Sequence, residues 1–210
     1  MDSYQMEYKC PSCGKKHYMT AWSAVNVGTH PELKEKVLDT SLFEFQCPHC
    51  GYTSGILYDC LYHDPERKIM IVLTGQETEN AFENQGDISQ SRYRLRTVHL
   101  PNELVEKILI FESGLDDRAV EIMKLSVKIS LMTDHEDLDV RNLYFSVNDS
   151  GYGFVVETDE GFVGEVPADE SVYREIERNM LKKMNIMQAE QTLINEDWAV
   201  NFIKTTERMN

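Results

Sequence analysis

None of the apolar runs in this 210-residue chain approaches the length of a membrane-crossing helix, which excludes a helical membrane protein. The first residues, Met1-Asp2-Ser3-Tyr4-Gln5, have no basic stretch leading into an apolar one, so no signal peptide is expected and the cytoplasm is the expected setting. Basic residues are scarce, 21 Lys+Arg against 36 Asp+Glu, for a net charge of −15. A chain this acidic repels a polyanion at long range, which argues against duplex nucleic acid as the main partner and for a basic protein. The deficit is uneven. Residues 1–75 carry net −2, residues 76–142 net −6 and residues 143–210 net −7. Cysteines are few as well, five in all, and without a secretory leader a disulfide framework is not expected. The length is enough for one large domain or two small ones with a real core.

Four of the five cysteines fall in a phrase written twice. Cys10-Pro11-Ser12-Cys13-Gly14 returns as Cys47-Pro48-His49-Cys50-Gly51. Two residues between the cysteines let both sulfurs of a pair point to one side while backbone amides turn toward them. Proline fixes φ at the second position, and glycine accepts the positive φ that a tight knuckle demands on its exit. A short extended run precedes each knuckle (residues 6–9 and 43–46), and polar or aromatic residues follow. This strand–knuckle–strand pattern predicts a zinc ribbon, with one structural zinc per chain bound by Cys10, Cys13, Cys47 and Cys50.

Rival readings of the cysteines carry less. A single C-P-x-C would suggest a thiol–disulfide oxidoreductase, but here there are two matched copies, each followed by glycine and neither opening an amphipathic helix. An iron–sulfur or other soft-metal site stays open as the alternative. His17 and His49 lie close enough in sequence to be substitute ligands, although four cysteines already complete a tetrahedral shell. Cys60, in an alternating apolar context, is expected to be a buried strand thiol.

The rest of the chain predicts an α+β fold. A helix is expected over Thr29–Leu38, inserted between the knuckles, with Leu33 and Val37 on one face. Residues 55–62 and Ile69–Leu73 predict two strands joined by a turn, a hairpin extending the ribbon sheet. Residues 75–91 are polar and predict a long loop. A strand over residues 93–98 leads into a helical hairpin. Its first helix opens at Leu100-Pro101-Asn102 and stops at Gly114, and its second is capped by Asp116 or Asp117. Three short strands, near 143–147, 153–157 and 162–166, with turns between them predict a small antiparallel meander. C-terminal helices follow, one carrying Val172, Tyr173, Ile176, Met180 and Met184 and one around Trp198 and Phe202. The expected division is a zinc-binding domain over 1–130 and an acidic α+β region over 131–210.

One further constellation has the residue types of acid–base chemistry: Arg94, Arg96, His99, Glu106, Lys107, Asp116, Asp117 and Arg118. Helix capping and ion pairs around a turn account for them without a substrate.

The paired C-P-x-C phrases, the Thr29-His30-Pro31-Glu32-Leu33-Lys34 segment between them and the stretch from Tyr93-Arg94-Leu95-Arg96 to Gly114-Leu115-Asp116-Asp117-Arg118 resemble the bacterial CpXC protein family over roughly residues 7–130. Cys10, Cys13, Cys47 and Cys50 match its motif positions one by one. The resemblance implies no assigned activity and no catalytic residue. Three readings follow. The first is a cytoplasmic, non-catalytic zinc-binding interaction module. The second is a zinc-ribbon binder of single-stranded nucleic acid through Lys9, Lys15, Lys16, His17, Tyr18 and Trp22. The third is an enzyme working from the Arg94–Arg118 region.

Overall fold

The computed structural model of the chain describes residues 2–82, 93–187 and 191–208. The fold is mixed α+β, with five α-helices and four small sheets among the described residues. Two compact units divide at Val105/Glu106, inside the first long helix. The boundary expected at residue 130 lies within the second long helix.

In the first unit, β1 (Ser3–Lys9) and β2 (Lys16–Trp22) form an antiparallel hairpin closed by the first knuckle, with Lys9 opposite Lys16. After β3 (Ala24–Asn26) come α1 (Leu33–Leu38) and a single 3-10 turn, Ser41–Phe43. The second knuckle closes a shorter hairpin of β4 (Glu44–Gln46) and β5 (Thr53–Gly55), with Gln46 opposite Thr53. The helix expected from Thr29 starts later, because Asn26 organises a turn first. Its carbonyl accepts from the N–H of Thr29 and His30, and its side chain accepts from Gly28 N–H.

β6 (Cys60–Asp64) and β7 (Ile69–Leu73) do pair antiparallel, as predicted. They do not extend the ribbon sheet. They form the centre of a separate four-stranded sheet, β3-β6-β7-β8, in which β3 and β8 (Arg94–Val98) are both parallel to their neighbours. Residues 56–59 are not strand: Ile56 N–H bonds to the Phe43 carbonyl and Tyr58 Oη to the Leu42 carbonyl, tying this stretch to the 3-10 turn instead. Val25, Val37, Phe43, Tyr62, Ile71 and Leu73 are buried. Much of the polar loop expected over 75–91, from residue 83 on, falls outside the described residues.

α2 (Pro101–Glu112) leads into the second unit, where α3 (Asp117–Asp134) follows Gly114, whose φ of 72° ends α2. Asp116 is the cap, its carboxylate accepting from Arg118 N–H. The meander is β9 (Asn142–Asn148), β10 (Gly151–Thr158) and β11 (Gly161–Pro167), in the order β11-β10-β9. α4 (Glu170–Met187) and α5 (Glu196–Arg208) pack on α3. Ile108, Ile110, Val120, Phe154 and Phe202 are buried. No described helix is long and apolar enough to cross a membrane.

Candidate metal centre

Each knuckle is built by the same two hydrogen bonds. In the first, Cys10 N–H donates to the Lys15 carbonyl (2.9 Å) and Gly14 N–H to the Cys10 carbonyl (2.9 Å). In the second, Cys47 N–H donates to Tyr52 (2.8 Å) and Gly51 N–H to Cys47 (2.9 Å). Gly14 and Gly51 stand at φ 70° and 74°, the left-handed exit that the repeated phrase predicts.

The knuckles face each other, and all four sulfurs lie within 4.8 Å of one another. Across the knuckles, Cys10 and Cys50 lie 3.7 Å apart, as do Cys13 and Cys47. These are far longer than a disulfide bond, and all four cysteines are free thiols. Cys10 and Cys47 are buried, Cys13 is partly covered and Cys50 is exposed. Such a set has the right chemistry for a soft or borderline metal ion.

Contacts around the sulfurs hold the two hairpins together. The Tyr8 ring packs on Phe45 with centroids 4.7 Å apart, and its hydroxyl is 2.9 Å from Ser54 Oγ. His17 Nε2 is 3.4 Å from Cys47 Sγ. Lys15 Nζ donates to His49 Nδ1 at 3.2 Å, so this nitrogen is already engaged outside the cysteine set. Burial opposes the Cys47 thiolate, but N–H groups of Cys50 and His49 and the adjacent thiols favour it, and its pKa falls to about 6. For Cys13 the Lys15 N–H favours the anion, but burial and three neighbouring sulfurs outweigh it and push the pKa up to about 11. Four sulfurs this close resist joint ionisation unless a cation stands among them.

The remaining candidates lie elsewhere. Cys60 is buried in β6, and burial raises its thiol to about 12, as expected of an inert strand cysteine. Of the charged constellation, Arg94, Arg96 and His99 belong to the first unit, whereas Glu106, Lys107, Asp116, Asp117 and Arg118 belong to the second. His99 has Nδ1 3.0 Å from the Thr74 carbonyl, and Arg118 forks onto Asp116 at 2.9 and 2.6 Å.

Sequence reasoning missed two partners in the second unit, Glu121 and Lys124. Lys107 Nζ lies 2.9 Å from Glu121 and 3.5 Å from Asp117, while Lys124 Nζ lies 2.9 Å from Glu106 and 3.2 Å from Glu121. Glu106 also accepts from Phe145 N–H of β9 at 2.7 Å. The available signal was the spacing of Asp117, Glu121 and Lys124, one face of α3 at i, i+4 and i+7. Glu106, Lys107, Asp117 and Glu121 are buried and their charges are paired, which is what a structural role requires.

Neither the curated proteins nor the solved structures include a match to this chain. Among protein families, residues 8–124 match the one described as CpXC protein, a span that includes both knuckles and more than half of the sequence. With its two C-P-x-C phrases brought together in space, the chain belongs to the CpXC protein family.

Proposed function

We propose that this protein is a zinc-binding interaction module in which Cys10, Cys13, Cys47 and Cys50 hold one zinc ion as a closed, structural centre. The spacing of the sulfurs carries the reading. A tetrahedron with metal–sulfur bonds of about 2.3 Å has edges of roughly 3.8 Å, and the two cross-knuckle separations are 3.7 Å. A multi-iron cluster divides its thiolates between separate irons and spreads the set farther than one ion does, whereas these four sulfurs all lie within 4.8 Å of one another. Paired hairpins ending in facing knuckles are the parts of a zinc ribbon. When bound, zinc would supply cross-linking of the two hairpins and no chemistry of its own, since four thiolates leave no position for a substrate. A reducing cytoplasm suits such thiols. The acidic part of the chain then serves as the docking surface for a basic protein.

The test is metal analysis of protein purified without chelator, where one zinc per chain is expected. Cys47→Ser should lose stoichiometric zinc and with it the folded first unit, because structural zinc supplies roughly 10–16 kcal/mol of apparent binding free energy. Metal-free protein that is fully folded, or a Cys10–Cys13 disulfide in reduced protein, overturns the proposal.

Exposed tyrosines on the knuckle hairpins, Tyr18 (70% exposed) and Tyr52 (42%), favour a second reading, stacking on single-stranded nucleic acid. Lys16 is drawn away from that role by Glu7, 2.8 Å from it. Anisotropy titration with a labelled single strand at near-physiological salt separates the two. Weak binding is expected; tight, salt-sensitive binding lost in Lys15→Glu/Lys16→Glu overturns the first reading in favour of the second.

A further inference from the structure

We infer that His17 is a positioning residue for the metal centre, its Nε2–H donating a hydrogen bond across the knuckles to the Cys47 thiolate. This rests on the four-cysteine centre proposed above and specifies how one of its sulfurs is held. The distance is 3.4 Å. A metal-bound thiolate has lone pairs and no proton, so the ring nitrogen can only be the donor, which puts a proton on His17 Nε2. His17 sits in β2 opposite Tyr8, and its ring lies against Phe45, centroids 5.9 Å apart. Phe45 in turn packs on Tyr8. The imidazole is therefore fixed by the first hairpin and reaches a sulfur of the second.

The internal repeat sharpens the point. Position for position, Tyr8 corresponds to Phe45, and His17 corresponds to Ser54. The Ser54 hydroxyl is bonded to Tyr8, not to a sulfur. Among the described residues, the side-chain hydrogen bonds to these sulfurs, apart from contacts between the cysteines themselves, come from His17. The two knuckles are matched in backbone and unmatched here, so the centre has one sulfur with a side-chain donor. Four thiolates around a dication leave net negative charge, and a donor to one of them draws electron density off that sulfur. It also fixes the orientation of the ligand, and loss of such partners typically lowers metal affinity 10–100-fold.

The experiment uses the full chain loaded with cobalt(II) for spectroscopy and with zinc for transfer to a competing chelator. His17→Phe keeps an aromatic ring beside Phe45 and removes the donor, while His17→Gln supplies an amide N–H. Wild type is expected to give a four-thiolate tetrahedral cobalt spectrum. His17→Phe should move the thiolate-to-cobalt band to longer wavelength and speed zinc transfer about tenfold. His17→Gln should recover much of both. His17→Leu is the donor-free comparison if phenylalanine disrupts the hairpin. Donor-free variants that match wild type in both readouts overturn the role of His17 and leave the metal centre standing. A wild-type cobalt spectrum of three thiolates and one imidazole overturns it in another way, by making the imidazole itself a ligand. Wild-type protein that takes up neither metal overturns the centre, and this inference with it.

Discussion

A lysine ammonium removed from water needs carboxylates around it, and Lys107, about 2% exposed, has Glu121 and Asp117. Removing it strands buried negative charge. Lys107→Met is therefore expected to cost about 3–5 kcal/mol, read as a lowered urea midpoint at unchanged m-value. Lys107→Met combined with Glu121→Leu should recover part of that loss, because the pair leaves together. The same network sets a pH window. Burial opposes the Lys107 and Lys124 charges, but Glu121, Asp117 and Glu106 outweigh it and raise both folded pKa values above 10.5. Their contribution is full below the ordinary lysine range and is lost as pH rises through the raised values. Glu121 is opposed by burial but held below 4.5 by the two lysines, so its contribution is present above that value and lost as pH falls through the lowered one. Glu106, raised mainly by burial, works in the opposite sense and gains stability on taking up a proton, which softens the acid side. Thermal melts across pH should show a broad plateau, a shallow acid shoulder and a steeper alkaline loss. An alkaline side as flat as that of Lys107→Met would contradict the assignment.

At the scale of elements, the knuckles are the part that was legible. Their geometry is local: proline, glycine and two intervening residues settle each turn, so the repeated phrase alone forecasts the backbone. The glycines test this directly. An added Cβ meets nothing within 4 Å at Gly51, leaving only the backbone penalty of φ 74°. Gly51→Ala should lose about 1–2 kcal/mol, and Gly51→Asn less, since asparagine tolerates the left-handed region. Chelator competition and thermal melting both read this, and an alanine as good as glycine would mean the knuckle relaxes to another turn. The meander was legible for the same reason, with alternating strands separated by turns at Asn148–Gly151 and Thr158–Gly161. What escaped was non-local. β3 is three residues, too short to show alternation, and its parallel partner β6 lies beyond the second knuckle. The lysine–carboxylate network depends on two helices meeting, which no single window of sequence displays. His17 sits in a strand of polar and aromatic residues, where nothing local distinguishes a sulfur donor from a solvent-facing side chain.

Across the whole molecule the charge follows the two units. Met1–Val105 holds 10 basic and 14 acidic residues, and Glu106–Asn210 holds 11 and 22. The part that carries the cysteines is thus the less acidic one, and Glu106–Asn210 is where a basic partner would find its complement. Binding of this kind is screened by salt. A partner captured at low ionic strength should lose affinity steeply as salt is raised, and a salt-independent partner would point to an apolar surface instead.

The parallel pairing of β3 with β6 has a consequence in time. Ala24 meets Leu61 and Asn26 meets His63 only after the chain has gone out through α1 and the second knuckle and come back. The cysteines bridge an overlapping excursion, 34 residues from Cys13 to Cys47 and 40 from Cys10 to Cys50. A metal ion that joins the knuckles early shortens the path from Ala24 to Leu61, which lowers the entropy that closing the ladder must overcome. Without it, the non-local parallel ladder must close unaided, the slow kind of step in folding. Refolding from denaturant should then run faster with zinc present than with chelator. Equal rates would mean that the strands meet first and the ion arrives at a site already made.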